Sequence, residues 1–397
     1  MMRRRRRLPS PVRAWRVSPG RRPERNAALL GRPARQLDPA PLCAWLSGKT
    51  VLVTGAGGSI GAGLCRHCAA LGVRRLVLVE IDELALLQVQ EQLQRHSPAL
   101  ECVAILGDCG DPAVIAHALR QGPVDAVIHA AAYKHVPLLE TQLREAVRNN
   151  VLATDTVALA CHRAGVGCFV LVSTDKAVAP VSVLGASKRL AEKVCAVRLA
   201  GSRTRLVTVR FGNVLDSAGS VLQVFRAQIQ RGGPVTVTHP QATRYFMTID
   251  EACQLILLAA AQGRAGAVYS LDMGPAVSIL TLARHLLAQT RGRLRRRISI
   301  VFTGLRPGDR LHEPTVVAMP EAGHATGLLR VDAHDGGPNG AGLLAVLARL
   351  RQAVATYDLP TLRDCLHDAV PDYAPQAGPA VSPPGCSLSL HAEDVNG

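Results

Sequence analysis

Thr174, Asp175 and Lys176 follow one another directly after an apolar run, and Lys188 comes twelve residues later on a segment whose spacing predicts a helix. A Tyr four residues ahead of such a Lys would present a phenol whose pKa the ammonium lowers. That position holds Leu184, which carries no proton. Either the chain is chemically inert or the proton work has moved to Asp175 and Lys176. A carboxyl and an amine side by side can serve one substrate as acid and base, which is what elimination of water requires.

The elements that must position these groups are legible as apolar runs at 50–55, 75–80, 102–108, 125–132, 168–175 and 205–213, separated by helical patterns. Continuous apolar strands alternating with amphipathic helices predict an α/β fold, a Rossmann-type doubly wound parallel sheet covered on both faces. Ligands of such sheets bind at the carboxyl ends of the strands, and each polar group singled out here begins where a strand stops. The expected division is a cofactor domain over 46–213 and a smaller substrate lobe with terminal helices over 214–372. An Arg/Pro-rich arm over 1–40 and a tail over 374–397 are expected to be disordered.

TGAGGSIG follows the first strand and opens a helix, with Gly55, Gly58 and Gly61 at three-residue spacing. Glycines there let the backbone, including Ser59 and Ile60, approach a pyrophosphate at a helix N-terminus. Glu80, 25 residues beyond Gly55 at the end of the second strand, is placed for ribose hydroxyls. Ile81 beside it offers no cation to a 2′-phosphate, so NAD is expected rather than NADP. Asp108, after the third strand, is expected to reach the adenine amino group or else to cap a turn. Ala130, after the fourth strand, is expected to line the same groove.

The 397 residues include 48% hydrophobic ones, ample for a large core, but only 3% aromatic. The formal charge is +16. Residues 1–36 hold 12 Arg and one Glu, so +11 of it belongs to the arm and 16 − 11 = +5 to everything after. The arm and the cluster Arg291–Arg297 read as solvated charge, with no recognition motif for nucleic acid. The 11 Cys show no disulfide framework and read as reduced thiols. Cys65 and Cys68 have C-x2-C spacing without a second ligand pair, so no metal is expected. No apolar run approaches a membrane span and no signal peptide is evident, which points to the cytoplasm without an integral membrane segment.

Six motifs, TGAGGSIG, HAAAYKHVPLLE, STDKAVAPVSVLGASKRLAE, RFGNVLDSAGSV, GGPVTVTHPQATRYFMTIDEA and GLRPGDRLHE, occur in order. Together they closely resemble the CapD-like polysaccharide-biosynthesis family of extended short-chain dehydrogenases/reductases, typically UDP-N-acetylglucosamine 4,6-dehydratases. The resemblance runs from about Leu29 to Pro375. LLGRPARQLD also resembles the segment that joins a transmembrane region to the catalytic domain in long members. The resemblance implies NAD as a hydride carrier between sugar C4 and C6, a UDP-sugar as substrate, and a homo-oligomer. It further implies Lys176 as the C5 base and Asp175 as the acid for the departing C6 hydroxyl. By the same resemblance Lys188 binds the nicotinamide ribose and Asn150 orders the catalytic groups below the sheet.

A closed site beside a cationic cofactor is expected to push the Lys176 pKa down. Thr174 belongs to the same proton-handling cluster. Lys134 leaves the fourth strand toward the sugar, with Tyr133 and His135 beside it. Asn213, Arg244 and Arg306 would supply amide and cations to the nucleotide, and Arg306 to Asp309 resembles the family's uridine and diphosphate contact.

Departures from the family pattern are Leu184, Ser182 in place of an Asn, and Asp216 and Ala218 in a usually small or hydroxyl-rich loop. Two alternatives stay open: a UDP-sugar C4/C5 epimerase on the same scaffold, and a non-catalytic NAD and nucleotide-sugar binder. Deletion of residues 1–36 is expected to leave turnover intact.

Overall fold

The computed structural model of the chain describes residues 29–35, 37–290, 298–314, 319–320, 328–331 and 340–375. The arm before residue 29, the cluster Arg291–Arg297 and the tail beyond residue 375 lie outside the described residues.

Six parallel strands form the centre: β1 (Thr50–Thr54), β2 (Arg75–Glu80), β3 (Glu101–Leu106), β4 (Ala126–His129), β5 (Cys168–Val172) and β6 (Arg205–Arg210). Their order across the sheet is β3-β2-β1-β4-β5-β6, so the direction of winding reverses between β1 and β4. All five residues of β1 and all four of β4 are buried, as strands covered on both faces must be. One face is packed by the helices Ser59–Ala70 and Ile249–Gln262, through residues such as Leu64, Cys68, Ile256 and Leu257. The other is packed through Ile115, Val157 and Cys161.

The sheet does not end with β6. Strand Ala267–Leu271 lies parallel beside it, Leu328–Val331 pairs antiparallel with that strand, and Met319–Pro320 forms the edge. A division at residue 213 therefore runs through the sheet, because the chain visits the second lobe and returns. The lobe itself has a separate core around Leu222, Phe225, Val235, Phe246 and Leu282. The last two helices, Ala341–Thr356 and Leu359–Ala369, pack on Val183–Leu199 and the π-helical turn Val147–Leu152.

The expected boundary of the arm at residue 40 moves inward. Leu29 and Leu30 are 5% and 2% exposed within the lobe core. Arg32 donates to Glu251 at 2.5 Å and to the Met273 carbonyl at 3.0 Å. The Arg35 amide also donates to Glu251, and the Arg35 side chain pairs with Asp272. Glu251 is buried and completes the capping box that starts helix Ile249–Gln262 with Thr248, so the strap fixes both the lobe and a sheet-covering helix.

Removing residues 1–36 therefore takes away a packed strap, which corrects the expectation of a neutral deletion. Leu30→Ala should cost about 2–5 kcal/mol of unfolding free energy by denaturant titration, as for a large buried aliphatic. An unfolding curve coincident with that of the unaltered protein would show that the strap is not part of the fold.

Candidate active site

The carboxyl ends of β1, β4, β5 and β6 meet the second lobe around one cleft. At β1 the chain turns through Gly55, whose φ is +66° and where a Cβ would strike the backbone of Ala131 just beyond β4. Any Cβ on Gly61 would sit on the Gly55 carbonyl oxygen. Gly58 is the N-cap of Ser59–Ala70, leaving the first amides of that helix facing the cleft. This cradle fits a dinucleotide pyrophosphate: bare backbone, amide donors and a helix N-terminus together.

The Ile60 carbonyl faces the Cys253 thiol at 3.7 Å, which makes this residue a packing contact. Ser59 turns its hydroxyl outward and accepts from the Ala218 amide of the second lobe at 2.9 Å, so it bridges the two sides of the cleft. The Ala130 amide donates to the Thr54 carbonyl at 3.2 Å and continues the β1–β4 pairing to the groove.

Glu80 is buried beside this cradle. Its Oε2 accepts from the Gly57 amide at 2.8 Å and its Oε1 from the Ile81 and Asp82 amides at 2.9 and 3.1 Å. The carboxylate thus braces the glycine loop, while the Ile81 side chain stays exposed. Asp108 caps the turn after β3: one of its oxygens takes the Gly110 amide at 2.7 Å and the other pairs with Arg148 at 2.8 Å.

Below the cleft, His129 bridges Thr54 at 2.7 Å and Thr154 at 2.9 Å, and burial lowers its pKa to about 3, so it acts as a neutral connector. Asn150, fully buried on the π-helical turn, accepts from the Tyr133 amide at 2.9 Å. It donates to the Tyr133 carbonyl and to Ser187, both at 3.1 Å. It thereby ties the loop after β4 to the residue preceding Lys188.

Beneath Lys188 lies Glu192, which accepts from Ser173 at 2.5 Å and from Arg210 at 2.8 Å and pairs with Arg189 at 3.3 Å. Burial pushes the Glu192 pKa up, but Arg210, Ser173 and Arg189 outweigh it and hold it below the usual carboxylate range. Lys188 is 4% exposed and makes no hydrogen bond among the described residues. Burial lowers its pKa to about 8.

The catalytic candidates sit on a short 3-10 turn, Asp175–Ala177, capped by the Thr174 hydroxyl. A Cβ on Gly185 would collide with the Lys176 carbonyl, so that glycine lets helix Val183–Leu199 press against the turn. Ser182 N-caps this helix by accepting from the Gly185 amide at 3.1 Å, work a Ser does as well as the Asn it replaces. Leu184 is 5% exposed and packs in the cluster shared with the terminal helices.

Asp175 is buried. Its Oδ1 takes Thr174 at 3.0 Å and Lys176 Nζ at 2.9 Å, and its Oδ2 has no partner among the described residues. Lys176 Nζ also reaches Asn213 Oδ1 at 3.3 Å and Glu313 Oε1 at 3.2 Å. Burial would pull the Lys176 pKa down, but Asp175 and Glu313 outweigh it and hold the ammonium above its ordinary value. The expected direction is therefore reversed, because two carboxylates face this amine.

Glu313 closes the GLRPGDRLHE run, and reading that run for nucleotide-binding cations passed over it. The signal was a second carboxylate, after Asp309, ending a basic loop. The same acid changes the place of Arg244. Its Nε lies 3.4 Å from Glu313 and its other nitrogens donate to the carbonyls of Thr243, Arg310 and Leu311. Each of its three side-chain nitrogens has a partner in the lobe, so it holds the Glu313 segment in place.

Arg306 is 58% exposed and pairs with Asp309 of its own turn at 2.8 Å. Lys134 donates to Ser217 at 3.3 Å, and burial of the amine lowers its pKa. His135 stands against Gly219, whose φ is +68°. Asp216, the departure nearest a diphosphate, pairs with Arg226 of the helix that follows. Its charge is thus answered within the lobe.

No helix of the described residues is long and apolar enough to cross a membrane, and no cluster of three or more His, Cys, Asp or Glu side chains among them could hold a metal ion. The chain is 45% identical over 287 residues to the capsular polysaccharide biosynthesis protein CapD of Staphylococcus aureus, and 43% over 286 residues to the probable polysaccharide biosynthesis protein EpsC of Bacillus subtilis. Each match takes in 72% of this chain but 48% of the relative, so the chain spans about half the length of these curated relatives.

Among solved structures, Pen from Bacillus thuringiensis superposes with a TM-score of 0.66 at 25% identity, over 75% of this chain and 92% of that one. MoeE5 in complex with UDP-glucose and NAD superposes with a TM-score of 0.55 at 26% identity, over 66% and 88%. Residues 51–327 match the family described as polysaccharide biosynthesis protein, and this span takes in the glycine loop, the acid/base turn and the closing segment with Glu313. The chain belongs to the polysaccharide biosynthesis protein family.

Proposed function

We propose that the chain is an NAD-dependent nucleotide-sugar 4,6-dehydratase acting on UDP-N-acetylglucosamine. One observation carries the reading: Lys176, largely withdrawn from solvent, is paired with the buried Asp175 at the carboxyl end of β5, where a Leu fills the helical position four residues before Lys188. Acid and base stand together, and no phenol precedes Lys188. An elimination across C5 and C6 needs both a proton acceptor and a proton donor, whereas epimerisation at C4 needs no acid for C6. Two further findings support the class: the likeness to capsular and polysaccharide biosynthesis proteins, and the fold shared with a protein solved with UDP-glucose and NAD.

NAD, when bound, accepts hydride from sugar C4 and returns it to C6. Gly55, Gly58 and Gly61 would receive its pyrophosphate, and the Glu80 carboxylate disfavours a 2′-phosphate at the ribose end. Lys188 would meet the nicotinamide ribose with an ammonium that makes no hydrogen bond among the described residues. Asp175 would take the C4 hydroxyl proton and deliver it to the leaving C6 hydroxyl, while Lys176 would remove the proton from C5. Lys134 and the turn Arg306–Asp309 would hold the nucleotide sugar from above.

Incubated with NAD and UDP-N-acetylglucosamine, the protein should release a product lighter by one water, carrying solvent deuterium at C5, with no standing NADH. Lys176→Ala should cut the rate by about 10² to 10⁴. Stoichiometric NADH would point to a plain dehydrogenase and sink the dehydratase reading.

Cofactor affinity should depend on pH through Lys188. Its ammonium predominates below a pKa of about 8 and is lost above it, so NAD binding should be level at acid pH and weaken as pH rises through about 8. Losing a hydrogen bond to a charged donor costs about 1.5–3 kcal/mol, a rise in Kd of roughly 10- to 150-fold. Lys188→Met should flatten the profile in a binding titration. A profile already flat in the unaltered protein would remove Lys188 from the cofactor site.

A further inference from the structure

Lys176 cannot begin as a base while it is an ammonium, and in this structure it faces two carboxylates. This argument rests on the dehydratase reading of Asp175 and Lys176. Asp175 comes from the same turn, whereas Glu313 comes from the second lobe, with a side chain 3% exposed. Glu313 Oε1 is 3.2 Å from Lys176 Nζ, and its Oε2 is buried without a partner among the described residues. Arg244 fixes the segment that delivers it, through Glu313 itself and through the carbonyls of Arg310 and Leu311. The charged groups around Nζ are thus Asp175, Glu313 and, behind Glu313, Arg244.

We propose that Glu313 is the positioning residue that takes the Lys176 proton and so turns Lys176 into the C5 base after C4 is oxidised. Proton bookkeeping dictates the order. The C4 hydroxyl gives its proton to the Asp175 carboxylate as the carbonyl forms. Lys176 then has one carboxylate in place of two, and burial of the ammonium is opposed by Glu313 alone. An N–H bond of Lys176 breaks and an O–H bond forms on Glu313, leaving amine and carboxylic acid, a neutral pair suited to a buried site.

The amine next takes the proton from C5, and the C–H electron pair becomes the C5–C6 double bond. The C6–O bond breaks as Asp175 protonates the departing hydroxyl, releasing water. Lys176 later returns a proton to C5 and recovers its own from Glu313. No proton is left over, since water leaves with the one that C4–O–H supplied.

Two measurements test this on the full chain. In the first, acetylation of Lys176 by acetic anhydride is followed by mass spectrometry across pH, without cofactor or sugar. The midpoint should fall by about one pH unit or more in Glu313→Gln, and Glu313→Asp should restore most of it. An unchanged midpoint would overturn the proposal.

In the second, Glu313→Gln with NAD and UDP-N-acetylglucosamine should still oxidise C4, seen as transient NADH, while C5 deuterium exchange slows by about 10² or more. Glu313→Asp should recover part of the exchange. Equal slowing of both steps, or exchange at the unaltered rate, would again overturn it. If the unaltered protein dehydrates nothing while the acetylation midpoint still shifts, the substrate reading fails and the hold of Glu313 on Lys176 is upheld.

Discussion

An ammonium largely withdrawn from water needs counter-charge, and the requirement of Lys176, whose side chain is 19% exposed, organises the cleft. Removing such a group from water costs several kcal/mol unless carboxylates and hydrogen bonds replace the lost solvation. Asp175 supplies one carboxylate from the turn after β5 and Glu313 the other from the far lobe. The second comes from a segment 137 residues downstream of Lys176, so that segment has to close over the sheet. Arg244, with its nitrogens on three carbonyls and Glu313, is what fixes the segment there. The lobe is therefore more than a lid: without it the acid/base turn would lack half its charge balance.

A second buried charge supports the first from below. Glu192 joins the end of β5 through Ser173, the end of β6 through Arg210, and its own helix through Arg189. These contacts fix the helix that carries Lys188 against the strands that carry Asp175 and Asn213. Asn150 adds the loop after β4 through its bonds to Tyr133 and Ser187. The terminal helices bear on the same helix, with Lys193 donating to the Ala369 carbonyl at 2.9 Å and the Ala374 amide to the Pro180 carbonyl at 3.0 Å. Residues on every side of the cleft are thus held by groups that never face it.

The central sheet was legible because its strands are continuous apolar runs. The glycine loop was legible because a Cβ has no room at Gly61, a constraint that shows directly as residue type. What lay hidden depends on pairing between distant segments. Periodicity carries no sign that Arg32 meets Glu251, that Ala267–Leu271 returns beside β6, or that Glu313 reaches Lys176. The partners of Arg244 and Asp108 were hidden for a related reason. A charged side chain has the chemistry to bind a ligand or to satisfy a neighbouring loop, and only coordinates distinguish the two.

Leu184 belongs to the scaffold and not to the polar groups above it. A phenol at that position would need both room in the cleft and Lys188 as its partner. In this chain the side chain lies in the cluster that the terminal helices bury, and Lys188 keeps no partner among the described residues. The lowered pKa of Lys188 comes from burial, which outweighs the nearby Glu192. Beside the turn after β5, Asp175 and, from the second lobe, Glu313 each retain one buried oxygen without a partner among the described residues. Leaving such an atom unsatisfied costs about 1–3 kcal/mol, a strain that folded proteins concentrate where a substrate is to be met.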